Sequence, residues 1–201
     1  MVETLLIVAA SALMLDSRLR SALAAYVAFT AITLTLSFPH HAAPAALALF
    51  AAVAAIKLML GPAAILLIVR RYGVPEYLAP SFGLAWRVAF AAVAIVAGHE
   101  VGRMTAFAGV HLAAVVFTAL FSSVATVVLH RNLLAHAIGL LALGSSISLA
   151  GALFAPAMPG AVELADTFDA VIATFVALGI ARALIAYDPT LDVRSLRSLR
   201  G

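Results

Sequence analysis

The chain has 201 residues, 65% of them hydrophobic and only 10% charged, with a mean hydropathy of +1.15. Soluble domains carry about 25% charged residues, and a soluble core of this size could not hide so much apolar surface, so water is excluded as the main solvent. The absence of cysteine excludes disulfides, thiolate zinc sites, iron–sulfur clusters and a cysteine nucleophile. The formal charge of +3 is carried by arginines scattered between apolar runs rather than gathered into the exposed patch a nucleic acid needs. No cofactor and no nucleic-acid partner are expected; the first partner is the lipid bilayer.

In chain order, apolar segments cover residues 2–15, 21–38, 44–69, 84–98, 106–129, 133–154 and 162–187, which predicts an all-α polytopic bundle of about seven transmembrane helices. The first and fourth segments are short for a span. The first contains Glu3 and has no Lys or Arg ahead of its apolar run, so it reads as a helix rather than a signal peptide. Turn chemistry marks the breaks: Pro39-His40-His41 after the second segment, Gly73-Val74-Pro75 after the third, and a Pro- and Gly-rich stretch at 155–160 after the sixth. No loop is long enough for a soluble domain, so residues 1–201 read as a single membrane domain. It divides into a first three-helix unit (1–71), a linking helix (84–98), a second three-helix unit (104–190) and a tail (191–201).

Arg18, Arg20, Arg70, Arg71, Arg131, Arg194, Arg197 and Arg200 all follow odd-numbered segments, Arg87 and Arg182 lie towards the same side, and only Arg103 falls opposite. Under the positive-inside rule this bias predicts an outer N-terminus and a cytoplasmic C-terminus. The one lysine, Lys57, departs from the pattern, because it lies near the middle of the third segment. A cation at that depth costs about 2.5–3.5 kcal/mol on insertion scales, so it should face protein or water and have a partner. Gly61 and Pro62, one turn later, are expected to weaken or kink the helix and free carbonyls near the ammonium. Two readings compete: a satisfied structural lysine, and a group that takes part in ion movement.

The seventh segment opens with Glu163, Asp166 and Asp169, spaced three apart, so each descends about 4.5 Å below the last. Carboxylates near a helix N-terminus ordinarily cap free amides, which accounts for Glu163 and Asp166; Asp169 lies too deep for that role. His111 in the fifth segment and His136 near the cytoplasmic start of the sixth are further candidates for a proton route, although each alone is also an ordinary packing residue. His40, His41, His99 and His130 read as interfacial. His99-Glu100 lacks a second histidine at helical spacing, so the zincin pattern fails, and there is no phosphate loop, dinucleotide fingerprint or nucleophile elbow. Gly139, Gly144, Gly151 and Gly179, with Ser145, Ser146 and Ser148, read as small residues that let membrane helices approach, which makes the sixth helix a buried one.

The same spacing suggests an internal duplication. Lys57 lies 37 residues after Arg20 and Asp169 lies 38 after Arg131, so the two units would place a cation and an anion at nearly equal depth, able to pair or share a pocket. Similar hairpin lengths would give the same coincidence.

Four stretches resemble a known family: residues 57–71 with Lys57, Pro62 and the Arg70-Arg71 pair; Arg131-Asn132-Leu133-Leu134-Ala135 through Ile138-Gly139; Met158-Pro159 through Val162-Glu163-Leu164 to Phe168-Asp169; and the tail from Leu191-Asp192 to Leu199-Arg200-Gly201. Over nearly its whole length the chain is similar to the HyfE family, hydrogenase-four component E-like membrane subunits whose C-terminal half resembles NuoK of respiratory complex I and MrpC. The resemblance implies a non-catalytic subunit of a group-four hydrogenase-like oxidoreductase complex in the bacterial cytoplasmic (inner) membrane. Its implied neighbours are antiporter-like and NuoH-like membrane subunits and cysteine-bearing hydrophilic redox subunits, with electron transfer coupled to proton or sodium translocation. The family's acid in the seventh helix falls on Asp169, and its outer Val-Glu-Leu on Val162-Glu163-Leu164. Where the family carries a Glu-Asn pair in the sixth helix, this chain has Gly144-Ser145, so either water held by Ser145, Ser146 and Ser148 takes the carboxylate's place, with Lys57 and the histidines carrying charge, or the subunit has lost conduction and serves as a spacer. Three functions follow as alternatives: an ion-translocating subunit, a non-conducting structural subunit of such a complex, and an independent small-solute carrier.

Overall fold

The computed structural model describes residues 2–38, 44–104, 112–154, 159–185 and 191–192, without the side chains of residues 44–46, 49, 159–164, 166, 169, 170 and 173. These residues form seven helices and no strand: α1 (Val2–Leu15), α2 (Leu19–Leu36), α3 (Pro44–Tyr72), α4 (Leu84–Gly102), α5 (Ala113–Leu129), α6 (Leu133–Phe154) and α7 (Pro159–Ile185). α2, α3, α4 and α6 each contain a stretch long and apolar enough to cross a membrane. α4 is not the short helix its apolar run suggests. His99-Glu100-Val101-Gly102 completes its last turn, and 19 residues span about 28 Å. α1, with 14 residues, stays short at about 21 Å.

The helices stack in two layers. α1, α2 and α3 follow one another in the first layer and α5, α6 and α7 in the second. Across the layers α1 packs on α5, α2 on α6 and α3 on α7, while α4 lies along α5 and touches α1. Each helix of the first unit therefore meets its counterpart in the second.

At one end the connections form a plate of backbone hydrogen bonds. The stretch after α3 runs past the α1–α2 turn, with Leu19 N–H donating to Glu76 O and Leu78 N–H to Ser17 O, both at 2.8 Å. It then crosses the α5–α6 turn, with Ser81 N–H donating to Leu129 O and Arg131 N–H to Ala79 O. After α7, Leu191 O accepts from Leu133 N–H at 3.0 Å. In both units, then, the turn between the first two helices is bridged by chain that follows the third. Each turn also has a side-chain oxygen that accepts from the amide two residues on, Asp16 Oδ1 from Arg18 N–H and Asn132 Oδ1 from Leu134 N–H, but only Asn132 caps its helix, since the Arg18 amide lies ahead of α2. Gly73, at φ 64, ends α3 in the left-handed region that glycine adopts without steric cost.

The surface is inverted relative to a soluble protein. Val8, Leu67, Trp86, Val93 and Phe175 are each at least 60% exposed, whereas Lys57, Asn132, His130 and a set of serines and threonines are under 9% exposed. An apolar exterior around a polar interior suits a bilayer, which satisfies no backbone or side-chain polar group of its own. The chain is a membrane protein.

Candidate functional site

The polar interior is organised by α6. Successive residues of a helix turn by about 100°, so Ser145, Ser146 and Ser148 point in three directions, and each meets a different helix. Ser145 Oγ lies 3.2 Å from Thr30 Oγ1 of α2, Ser146 Oγ lies 3.0 Å from Ser123 Oγ of α5, and Ser148 Oγ accepts from Lys57 Nζ of α3 at 2.9 Å. Ser123 and Ser146 each also face a carbonyl of their own helix, Ala119 O at 2.8 Å and Ala142 O at 2.9 Å. A hydroxyl has one proton to donate, so these two supply two protons for three contacts, and one contact goes without a donor in any given arrangement.

Lys57 is 4% exposed. It lies 15 residues before the last residue of α3, Tyr72, and Ser148 lies 15 residues after the first residue of α6, Leu133, so both stand about 22 Å from the plate and meet at equal depth. The Tyr26 hydroxyl of α2 donates to the Lys57 carbonyl at 3.0 Å. α3 continues as one helix through Gly61 and Pro62, the pair expected to weaken or kink it. Gly61 serves instead as a contact point, since a Cβ there would lie 2.6 Å from Leu141 Cδ1 of α6. Pro62 removes only the amide that would have bonded Leu58. The small-residue expectation holds for Gly139, whose Cβ would press on Val127 of α5 at 2.6 Å; at Gly179 a Cβ would meet nothing within 4 Å among the described residues.

Of these candidates the structure brings Lys57 and Ser148 into contact, while Ser145 and Ser146, on the same stretch of α6 as Gly144, meet α2 and α5 instead. Asp169 has its backbone 16 residues before Ile185, the last residue of α7, and so at nearly the same depth as Lys57, on a helix packed against α3. The side chains of Asp169, Glu163 and Asp166 lie outside the described residues, as does all of His111. His136 is placed elsewhere. It sits in the first turn of α6 with Nε2 3.0 Å from His130 O, 12 residues and about 18 Å along α6 from Ser148. His130, expected at the interface, is 2% exposed: Nδ1 lies 3.0 Å from Thr126 O and Nε2 2.8 Å from Asp16 O. Carbonyl oxygens only accept, and neutral imidazole has a single N–H, so that form satisfies one of the two contacts.

Sequence reasoning missed Tyr26, Thr30 and Ser123. The signal available was modest: hydroxyl-bearing residues inside otherwise apolar helices, which mark faces turned away from lipid. The ammonium can hold position only where hydroxyls or an anion replace its lost hydration, and the cluster supplies a desolvated, hydroxyl-lined point in the middle of the bundle. Compared with protein-family models, curated proteins and solved structures, the chain matches none.

Proposed function

We propose that this chain is the ion-moving membrane subunit of a group-four hydrogenase-like or complex I-like redox complex, with the Lys57 cluster as the charged element of the ion path. In this reading all seven helices cross a bacterial inner membrane, with the plate on the cytoplasmic side and the two three-helix units as a duplication. The observation that carries the ion-path part is Lys57, a cation buried at mid-helix depth and held by Ser148 of a neighbouring helix. The pairing of α1 with α5, α2 with α6 and α3 with α7 supports the duplication, and the arginines at the plate end support the orientation. The assignment to a redox complex rests on the four sequence stretches around Lys57, Arg131, Asp169 and the tail. A non-conducting spacer is favoured by one observation, that Ser145 and Ser146 also face carbonyls of their own helix, a fixed arrangement that needs no ion.

The test is Lys57→Met and Asp169→Asn in the intact assembly, extracted gently, identified by mass spectrometry and returned to vesicles. Coupled proton or sodium uptake should fall by about tenfold or more, a loss of roughly 1.4 kcal/mol or more. If both variants assemble and coupled uptake is unchanged, the ion-moving reading fails and the spacer stands.

A further inference from the structure

Away from the Lys57 cluster, α5 carries a second polar line. Thr118, Ser122 and Thr126 recur every four residues, so they climb one face of the helix in steps of about 6 Å, and His130, the residue that follows the helix, continues the spacing. All four are buried, between 0% and 3% exposed, and the other residues of α5 are mostly apolar. The lower half is satisfied within the protein: Thr126 donates to Ser122 O at 2.9 Å, and His130 reaches Thr126 O and Asp16 O. Higher up, Ser122 is not. Ser122 Oγ is fully buried and has no hydrogen-bond partner among the described residues. Buried hydroxyls are nearly always bonded, and where protein offers no partner a water ordinarily does.

One turn above Ser122 on the same face, Thr118 lines a crevice between α1, α4 and α5, at the end of the bundle away from the plate. Leu6 and Val115 form its apolar wall, and Glu3 and His99, both exposed, stand at its mouth. Its shape is set by close packing of α4 on α5, since a Cβ on Gly98 would lie 2.6 Å from Thr118 Cα. The crevice therefore lies between solvent, with Glu3 and His99 at its mouth, and a line of hydroxyls that ends at Ser122, whose buried hydroxyl has no partner among the described residues.

We infer that this crevice is the mouth of a water-filled inlet that runs along α5 to Ser122 and admits water and hydronium from the end of the bundle away from the plate, where Arg103 is paired with Glu100. That its cargo feeds ion movement rests on the reading proposed above; the presence of water does not. The natural absence of cysteine makes the test direct. Thr118→Cys, Ser122→Cys and, as a control, Ser123→Cys are placed in vesicles and treated with a small membrane-impermeant methanethiosulfonate. Ser123 is equally buried but faces Ser146. Labelling at positions 118 and 122 should run about tenfold or more faster than at 123, and from one side of the membrane only. The unaltered protein provides a check free of any folding defect. In X-ray radiolytic footprinting, bound water should make Leu6 oxidise several-fold faster than the equally buried Leu134. Equal labelling at 122 and 123, or equal oxidation of Leu6 and Leu134, overturns the inlet. Neither result touches the coupled-uptake test on Lys57, so the two ideas fail separately.

Discussion

α4 and α6 are both apolar and both long enough to cross a membrane, with 19 and 22 residues, yet they occupy opposite places in the bundle. Half of the most apolar stretch of α6 is buried inside the protein, against 22% for α4. α6 meets α2, α3, α5 and α7 and spends its serines on three of them. α4 buries one narrow stripe, Arg87, Ala91, Ala94, Gly98 and Gly102, and turns Trp86, Phe90, Val93 and Val96 outward. Hydropathy decides that a helix belongs in lipid. Where it sits among its neighbours is decided by the distribution of small and hydroxyl-bearing residues, around the whole helix in α6 and along one edge in α4.

If α4 is held by its small edge alone, filling that edge should have the largest effect of any change outside the Lys57 cluster. A Cβ on Gly102 would collide with Ala114 Cα of α5, so Gly102→Leu must drive the two helices apart. The expected loss is about 3 kcal/mol, read by denaturant titration in detergent, whereas Gly179→Leu, at an open position, should stay within roughly 0.5 kcal/mol. Similar losses at the two glycines would mean that α4 is not docked by close approach. A smaller effect tests α6. Ser123→Ala and Ser146→Ala, combined in a double-mutant cycle, should show a coupling of about 0.6 kcal/mol, the usual worth of a hydrogen bond between membrane helices. The smallest belongs to the outer face of α4, where Trp86→Ala, at a residue 65% exposed, should change stability in detergent by less than about 0.5 kcal/mol. A large loss there would place a protein contact on that face.

Much of the fold is legible in the residues because hydropathy and turn chemistry act locally. The bounds of α6 coincide with its apolar run, and the depth of Lys57 follows from counting along α3. What local patterns do not encode is pairing. Ser148, 91 positions from Lys57, becomes its partner only once α3 and α6 are packed. His130 reads as interfacial because it sits between two apolar runs, but that position does not tell that the chain after α3 folds across the turn and buries it. The Gly98–Gly102 edge went unread because His99 and Glu100 lie between the glycines and make the end of α4 look like a loop. The unpartnered hydroxyl of Ser122 has no sequence signal at all, since the four-residue spacing of polar residues on α5 says only that they share a face.

The plate also sets an order of events. Asp16 and His130 are 114 residues apart, and the turn after α1 is held partly by the chain after α3 and partly by the ring at the end of α5. A ribosome delivering helices one by one must therefore leave the first hairpin loosely tied until more than half the protein has been synthesised. Until then the Asp16 carbonyl stands at the membrane edge without its imidazole partner, whereas Leu15 O is met earlier, once Arg87 has been added to the chain.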